Sequence, residues 1–316
     1  MDHSIKLGLL AALLFFQSCT NSGIKNKAVE NEDPLSANEQ VENGSKTKEA
    51  TNSLTLQQDK DLIGNWVGIF EPDTAIIGVY TGDVSAWNYD NKINLSIDQI
   101  NGEEIQGHSV IAGNDRPFKG NITRKDNSIA VKATEPGDDK EDGEFNFSIG
   151  KGDTSITGTW AAYKKVRIPK RKYILSKKIF KYNPDYMVTD SRYIDWKKSK
   201  KVKSRDENDD FIYDESYLGT TEDVKKYNAS KVLITAEQAA NLKKADLFII
   251  RNSIYARHGY SFRNQQLRAY FDREPWYIPV TANIKADFTE IEKKNIAMLL
   301  RYEKNAEEYY DVFGRG

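Results

Sequence analysis

Apolar and polar residues alternate with a period of two over residues 61–163, and apolar residues recur every three to four positions beyond residue 235. In the first region, residues 64–70 open the series, and Ile93, Leu95 and Ile97 alternate with polar neighbours up to Asn101-Gly102, a strong hairpin signal. Further runs cover residues 104–111, 118–122, 129–133, 145–149 and 156–162, separated by turn residues at 125–127, 136–143 and 150–153. With a short strand at 76–80 they make a meander of about eight antiparallel strands, a number that can close into a small barrel and remove its own edges. Phe118, Phe145, Phe147 and Trp160 face inward in this pattern and would fill the barrel. In the second region the spacing predicts helices over 235–243, 244–258, 265–271 and 289–304. The fold class is a multi-domain α and β protein: an antiparallel β meander or barrel, then a small all-α domain.

The beginning of the chain follows neither period. Residues 7–16 are an apolar run after a single cation, Lys6. Ten residues fall short of the ~20 needed to span a bilayer and match an export signal instead. Gln17-Ser18-Cys19 follows, and Cys19 is the only cysteine in the chain. A small residue before a cysteine at this distance resembles the lipobox of bacterial lipoproteins, which implies lipidation of Cys19. Thr20 stands where Asp would be expected for inner-membrane retention, so the resemblance implies the outer membrane of a Gram-negative bacterium. A lipidated Cys19 leaves no thiol for disulfides, thiolate catalysis or cysteine metal sites. Residues 20–60 are polar and lack clustered apolar side chains, so they read as a tether reaching about 35 Å as a random coil.

Charge changes the picture in the middle of the chain. The net charge is −1, yet residues 164–205 hold sixteen Lys and Arg against three Asp, interleaved with Tyr173, Phe180, Tyr182, Tyr186, Tyr193 and Trp196. Asp206, Glu207, Asp209, Asp210, Asp214 and Glu215 then reverse the sign. We read 166–227 as a charged connector whose Arg167, Lys170, Arg171, Lys172, Lys197, Lys198, Lys200 and Lys201 are candidate contacts to a polyanion, with simple solvation or pairing with the acidic run as the plainer account. An exported context makes cell-wall polymers or lipopolysaccharide the relevant polyanions and excludes nucleic acid.

The chemistry-bearing stretch ends the second predicted helix. Leu247, Ile250 and Ile254 mark a buried face, Gly259 suits a left-handed stop with Tyr260 folding back on Tyr255, and Arg257 and His258 face the negative end of the helix dipole. Tyr255-Ala256-Arg257-His258-Gly259 resembles the signature of the YARHG domain, a module of bacterial envelope proteins. The resemblance continues over residues 228–304 through Leu233-Ile234-Thr235-Ala236-Glu237-Gln238, Leu267, Tyr270-Phe271, Pro275-Trp276-Tyr277 and Ile291-Glu292-Lys293-Lys294-Asn295-Ile296. Lys243-Lys244 departs from it where a capping residue is usual, a loss of about 1 kcal/mol at the helix start. Gly64-Asn65-Trp66 and Gly158-Thr159-Trp160, in the first and last strands, resemble lipocalin-type or avidin-type barrels.

These readings divide the chain into a signal peptide with lipidated cysteine (1–19), a tether (20–60), a barrel-like domain (61–165), the charged connector (166–227) and a YARHG domain (228–310). Arg251, Asn252, Tyr255, Arg257, His258, Gly259 and Trp276 form the candidate binding or structural motif. His258 then packs on an aromatic such as Trp276, Asn252 satisfies a neighbouring backbone group, and Arg251 and Arg257 hold carboxylates such as Glu290 or Glu292, unless a capping box from Thr289 occupies Glu292. No nucleophile signature, calcium loop, phosphate loop or His-x-x-x-His spacing is present, so no catalytic residue, metal or cofactor is assigned. The leading expectation is a membrane-anchored, non-catalytic protein that binds peptidoglycan, lipopolysaccharide or an envelope protein. A cell-wall enzyme using His258 and Arg257, and a barrel carrying a small hydrophobic ligand, are the alternatives.

Overall fold

The computed structural model describes residues 59–73, 89–190, 192–208, 210–283 and 287–313, all within one compact unit, Asn52–Gly316. The signal peptide, Cys19, almost all of the tether and the expected strand at 76–80 lie outside the described residues. No helix among the described residues is long and apolar enough to cross a membrane.

Eight antiparallel strands close into a barrel in sequence order: β1 Gly64–Pro72, β2 Asn91–Asn101, β3 Glu104–Ile111, β4 Asn114–Lys125, β5 Ser128–Thr134, β6 Gly143–Gly150, β7 Ser155–Ala162 and β8 Lys170–Lys178. Closure comes from β1 pairing with both β2 and β8, for example Phe70 opposite Asn91 on one side and Tyr173 on the other. The alternation sets which side chains point inward: Ile129, Val131 and Ala133 of β5 are buried, as are Ile156 and Trp160 of β7. Phe70, Phe118, Phe145, Phe147, Trp160 and Tyr173 pack together in the interior, with Phe70 and Trp160 in an edge-on contact at 5.6 Å. The barrel is therefore filled by its own rings.

The last strand corrects the domain boundary. The cations of residues 170–178 suggest a connector, yet Tyr173 and Leu175 point into the core, with Lys170, Lys172 and Lys178 outward and Arg171 and Lys177 at the barrel mouths over Phe70 and Trp66. A strand needs only its inward face to be apolar, and a barrel's outer face can carry any density of charge. The barrel thus reaches past 165, and Lys170, Arg171 and Lys172 belong to it. Arg171 donates through Nη1 to the carbonyls of Phe70 and Tyr89, at 2.8 and 2.9 Å.

A second, two-stranded sheet pairs β9 Ile194–Arg205 with β10 Phe211–Gly219. Four helices follow: α1 Ala236–Asn241, α2 Lys244–Arg257, α3 Gln265–Phe271 and α4 Glu290–Phe313, the last extending well beyond the expected end at 304. Leu247, Ile250 and Ile254 of α2 join Phe262, Phe271, Tyr277 and Leu299 in a second core. The absent cap at Lys243 is offset by Asp246, which accepts from the Lys243 backbone N–H at 3.3 Å and from the backbone and hydroxyl of Thr221.

The two cores are bonded directly to each other. The Lys92 backbone donates to Asp272, and its ammonium donates to the carbonyls of Glu274 and Tyr277, at 2.9 and 3.0 Å. Burial pulls Lys92 down to about 8, against the attraction of Asp272 and Glu274. Gly113, in the tight β3–β4 turn at φ +80°, donates to Ser261 at 2.9 Å, and its carbonyl accepts from Arg263. Phe145→Ala should therefore cost about 3–5 kcal/mol in urea denaturation. The helical far-UV signal should shift with the aromatic fluorescence of the barrel; an unmoved helical transition would show that the two parts unfold independently.

Candidate functional site

Helix α2 ends as its last residues dictate. The Gly259 N–H bonds to the Ala256 carbonyl at 2.9 Å and the Tyr260 N–H to the Tyr255 carbonyl at 3.1 Å, the paired bonds of a Schellman stop. Gly259 sits at φ +73°, and a Cβ there would collide with Val280 and lie 2.9 Å from the Phe180 ring. Both backbone angle and space demand glycine.

This stop turns the two cations inward. Arg257 is 2% exposed; its Nε donates to the Tyr186 carbonyl at 2.8 Å, and Nη1 donates to the hydroxyls of Ser253 and Ser230 at 2.9 and 3.3 Å. Burial draws it down to about 10, opposed by Tyr182, Glu292 and Glu274, so it stays charged at neutral pH. His258 lies flat on Tyr182, ring centroids 4.3 Å apart, and edge-on to Phe288 at 5.0 Å. Its Nε2 lies 3.1 Å from a Glu292 oxygen.

Glu292 is the hub of this cluster. It is fully buried and takes the Thr289 backbone N–H at 3.0 Å while Thr289 Oγ1 accepts the Glu292 N–H, so the expected capping box is formed. Tyr182 donates its hydroxyl to the same carboxylate at 3.0 Å. Burial alone would push Glu292 up, but hydrogen bonds from His258, Ser230 and Thr289 outweigh it and hold the carboxyl at about 2. Burial and the Glu292 charge push Tyr182 up to about 12, which keeps its donor proton in place.

The other motif residues serve the same packing. Arg251 binds Glu303 of α4 at 2.9 Å rather than Glu290 or Glu292. Asn252 bonds back to the Phe248 carbonyl, as expected of a mid-helix Asn. Tyr255 packs on Tyr260 and Phe288. Trp276 does not pack on His258: it stacks on Tyr186 at 5.4 Å and donates to the Met187 carbonyl. The segment between β8 and β9 is thus a strap bound across the helices. Besides Tyr182, Tyr186 and Met187, it offers Thr189 and Asp190 N–H groups to the buried Glu274 and the Pro184 carbonyl to Asn228. Sequence reasoning missed Tyr182, Glu274 and Phe288, whose partners are distant in the chain; Glu292 was legible as the capping-box acid and as a candidate arginine partner, but not as the partner of His258. Asn295, fully buried, closes α4 on the Ala229 and Val232 carbonyls.

The polyanion candidates separate into two places. Arg167 lies over the Tyr89 ring, and Lys170, Arg171 and Lys172 are on β8, with Lys172 facing Glu71. Lys197, Lys198, Lys200 and Lys201 are on β9; Lys197 and Lys201 are exposed, and the side chains of Lys198 and Lys200 lie outside the described residues. Around them β10 carries Phe211, Tyr213 and Tyr217, 55%, 65% and 44% exposed. Two cavities open at the barrel mouths, one of about 230 Å³ beside Arg116, Trp160 and Arg268, the other of about 600 Å³ over Leu62, Trp66, Ile129 and Ile149. In the first, Asp142 pairs with Arg116 at 2.8 Å and the buried Glu135 accepts from Ser109, Gly143 and Trp160. No group of three or more His, Cys, Asp or Glu among the described residues is placed to hold a metal.

Residues 222–304 match the model of the YARHG domain, so the chain contains one. The match starts at the short 3₁₀ turn Glu222–Lys225, six residues before the start read from the sequence, and the Thr221–Asp246 bonds tie that turn to α2. No curated protein matches the chain. No solved structure matches it either.

Gly259→Ala should lower stability by about 1–3 kcal/mol in urea titrations, with the fold retained. Because Glu292 is held at about 2 in the fold against an ordinary 4.5, its stabilisation is complete above pH 4.5 and is lost as pH falls toward 2. Denaturation midpoints between pH 6 and 3 should therefore fall less steeply for Glu292→Gln than for the wild type, starting from a lower value at pH 6.

Proposed function

We propose that this chain is an exported lipoprotein, anchored through Cys19 to the outer membrane of a Gram-negative bacterium, whose head binds an anionic envelope component without catalysis. The observation that carries the reading is the β9–β10 hairpin. It is a two-stranded sheet outside the barrel, with exposed Lys197, Lys201, Lys203 and Arg205 on one strand and exposed aromatic rings on the other. An apolar surface left exposed beside a row of cations marks a contact surface more than a stabilising one. The YARHG domain supports the root of this hairpin: Tyr193, just before β9, packs on Phe248 and Tyr270.

The enclosure of Arg257 and the engagement of His258 Nε2 by Glu292 support binding over acid–base chemistry at the motif, since a catalytic pair needs room for a substrate within hydrogen-bond reach. The filled barrel leaves the carrier alternative only its mouths. Lipopolysaccharide and peptidoglycan are the first candidates for the anionic component, with anionic envelope proteins next.

The mature chain carrying Cys19→Ser should co-sediment with peptidoglycan or bind lipopolysaccharide at low salt, and release steeply as salt rises. Lys201→Glu with Lys203→Glu should abolish this binding without changing the circular dichroism spectrum. Absence of binding to both materials at low salt would refute the reading.

A further inference from the structure

The ladder of the hairpin orders its side chains in a way that specifies the ligand more closely. Register sets Phe211 opposite Arg205, Tyr213 opposite Lys203, Glu215 opposite Lys201 and Tyr217 opposite Ser199. Residues directly opposite each other share a face, and alternate residues of one strand do too. The face of β10 that carries Phe211, Tyr213 and Tyr217 therefore also has Glu215 at the position opposite Lys201, while Lys203 and Arg205 stand beside the first two rings on β9. The rings follow one another at multiples of about 7 Å, the two-residue repeat of a strand. Lys203 Nζ lies 3.3 Å from the Phe211 ring centroid and the Arg205 guanidinium 4.8 Å from it, so Phe211 gathers the two cations, and the Tyr213 ring beside them, 65% exposed, is open to a ligand.

Resting on the binding function proposed above, we propose that the hairpin's ligand is an anionic glycan lying along this face, a sugar ring on Tyr213 and its carboxylate or phosphate groups on Lys203 and Arg205. A sugar ring offers a C–H face to an aromatic ring and keeps its hydroxyls in water. A polyphosphate would use the cations and leave the rings unoccupied. A dry apolar protein surface would use the rings and strand the ammonium groups without solvent. A lipid bilayer is disfavoured by the turn: Glu207 and Asp210 are exposed there, with Asp206 beside them, at the end that would have to lead into an anionic membrane. These acids, together with Asp214 and Glu215 on β10, also keep the hairpin from being a uniform cation sink, which favours a ligand read by rings and charge together.

The test is calorimetric titration of the mature chain with Cys19→Ser against polygalacturonate, neutral dextran, polyphosphate and phosphatidylglycerol vesicles at low salt. Polygalacturonate should bind more tightly than dextran or polyphosphate. Tyr213→Ser should weaken it about tenfold while leaving the weaker polyphosphate affinity unchanged, as expected where ring stacking adds to charge. Polyphosphate binding as tight as polygalacturonate, or indifference of polygalacturonate to the Tyr213 substitution, would overturn the glycan assignment and leave polyanion binding standing. Preference for the vesicles would overturn it in favour of a membrane surface. No binding to any of the three anionic probes would overturn both the assignment and the function on which it rests.

Discussion

The helical half of this protein depends on satisfying two polar side chains, Arg257 and His258, that its own helix stop turns inward. Once Gly259 ends α2 in a left-handed turn, Arg257 has no route to solvent and His258 keeps only a narrow one, so both find partners inside. A buried guanidinium is tolerated only where several acceptors surround it, and leaving one charge of such a set unpaired costs about 3–5 kcal/mol. Arg257 finds the Tyr186 carbonyl and two serines; His258 finds Glu292. Those needs fix the strap across the helices and fix the start of α4 at the end of α2. The five-residue signature thus acts as a junction where three chain segments distant in sequence are brought to one place.

A junction of this kind leaves the chemistry to other surfaces. With Glu292 occupied by Thr289, Tyr182 and His258, neither the carboxylate nor Nε2 of the imidazole faces an incoming molecule. The barrel is likewise occupied by its own rings, and its outer face at β2 is bonded to the helical half through Lys92. Barrel, strap and helices then form one bonded body, and the β9–β10 hairpin is the element whose apolar and cationic side chains turn outward. That division between a rigid body and a presented hairpin underlies the proposed function.

Much of this was legible in the sequence, for physical reasons that can be named. Alternation located seven of the eight barrel strands because each has an apolar inner face and a polar outer one. The spacing of Leu247, Ile250 and Ile254, with Gly259 after them, located α2 and its stop, and α3 matched its expected span. β8 was lost because sixteen cations in forty-two residues drown a two-residue apolar alternation, Tyr173 and Leu175, that carries the strand. The strap was lost because it lies against the helices through backbone carbonyls, which leave no trace in residue type. For the same reason the sequence shows that Arg257 and His258 matter without showing to what: Tyr182 and Glu292 are 76 and 34 residues from His258, and only folding brings them together.

The most direct test of the central claim, that the YARHG motif is a structural junction and not the ligand site, is the affinity of folded His258→Gln for the anionic polymer that the wild type binds. The account predicts unchanged affinity together with a lowered denaturation midpoint. Lost affinity at wild-type stability would contradict it and place the ligand at the motif.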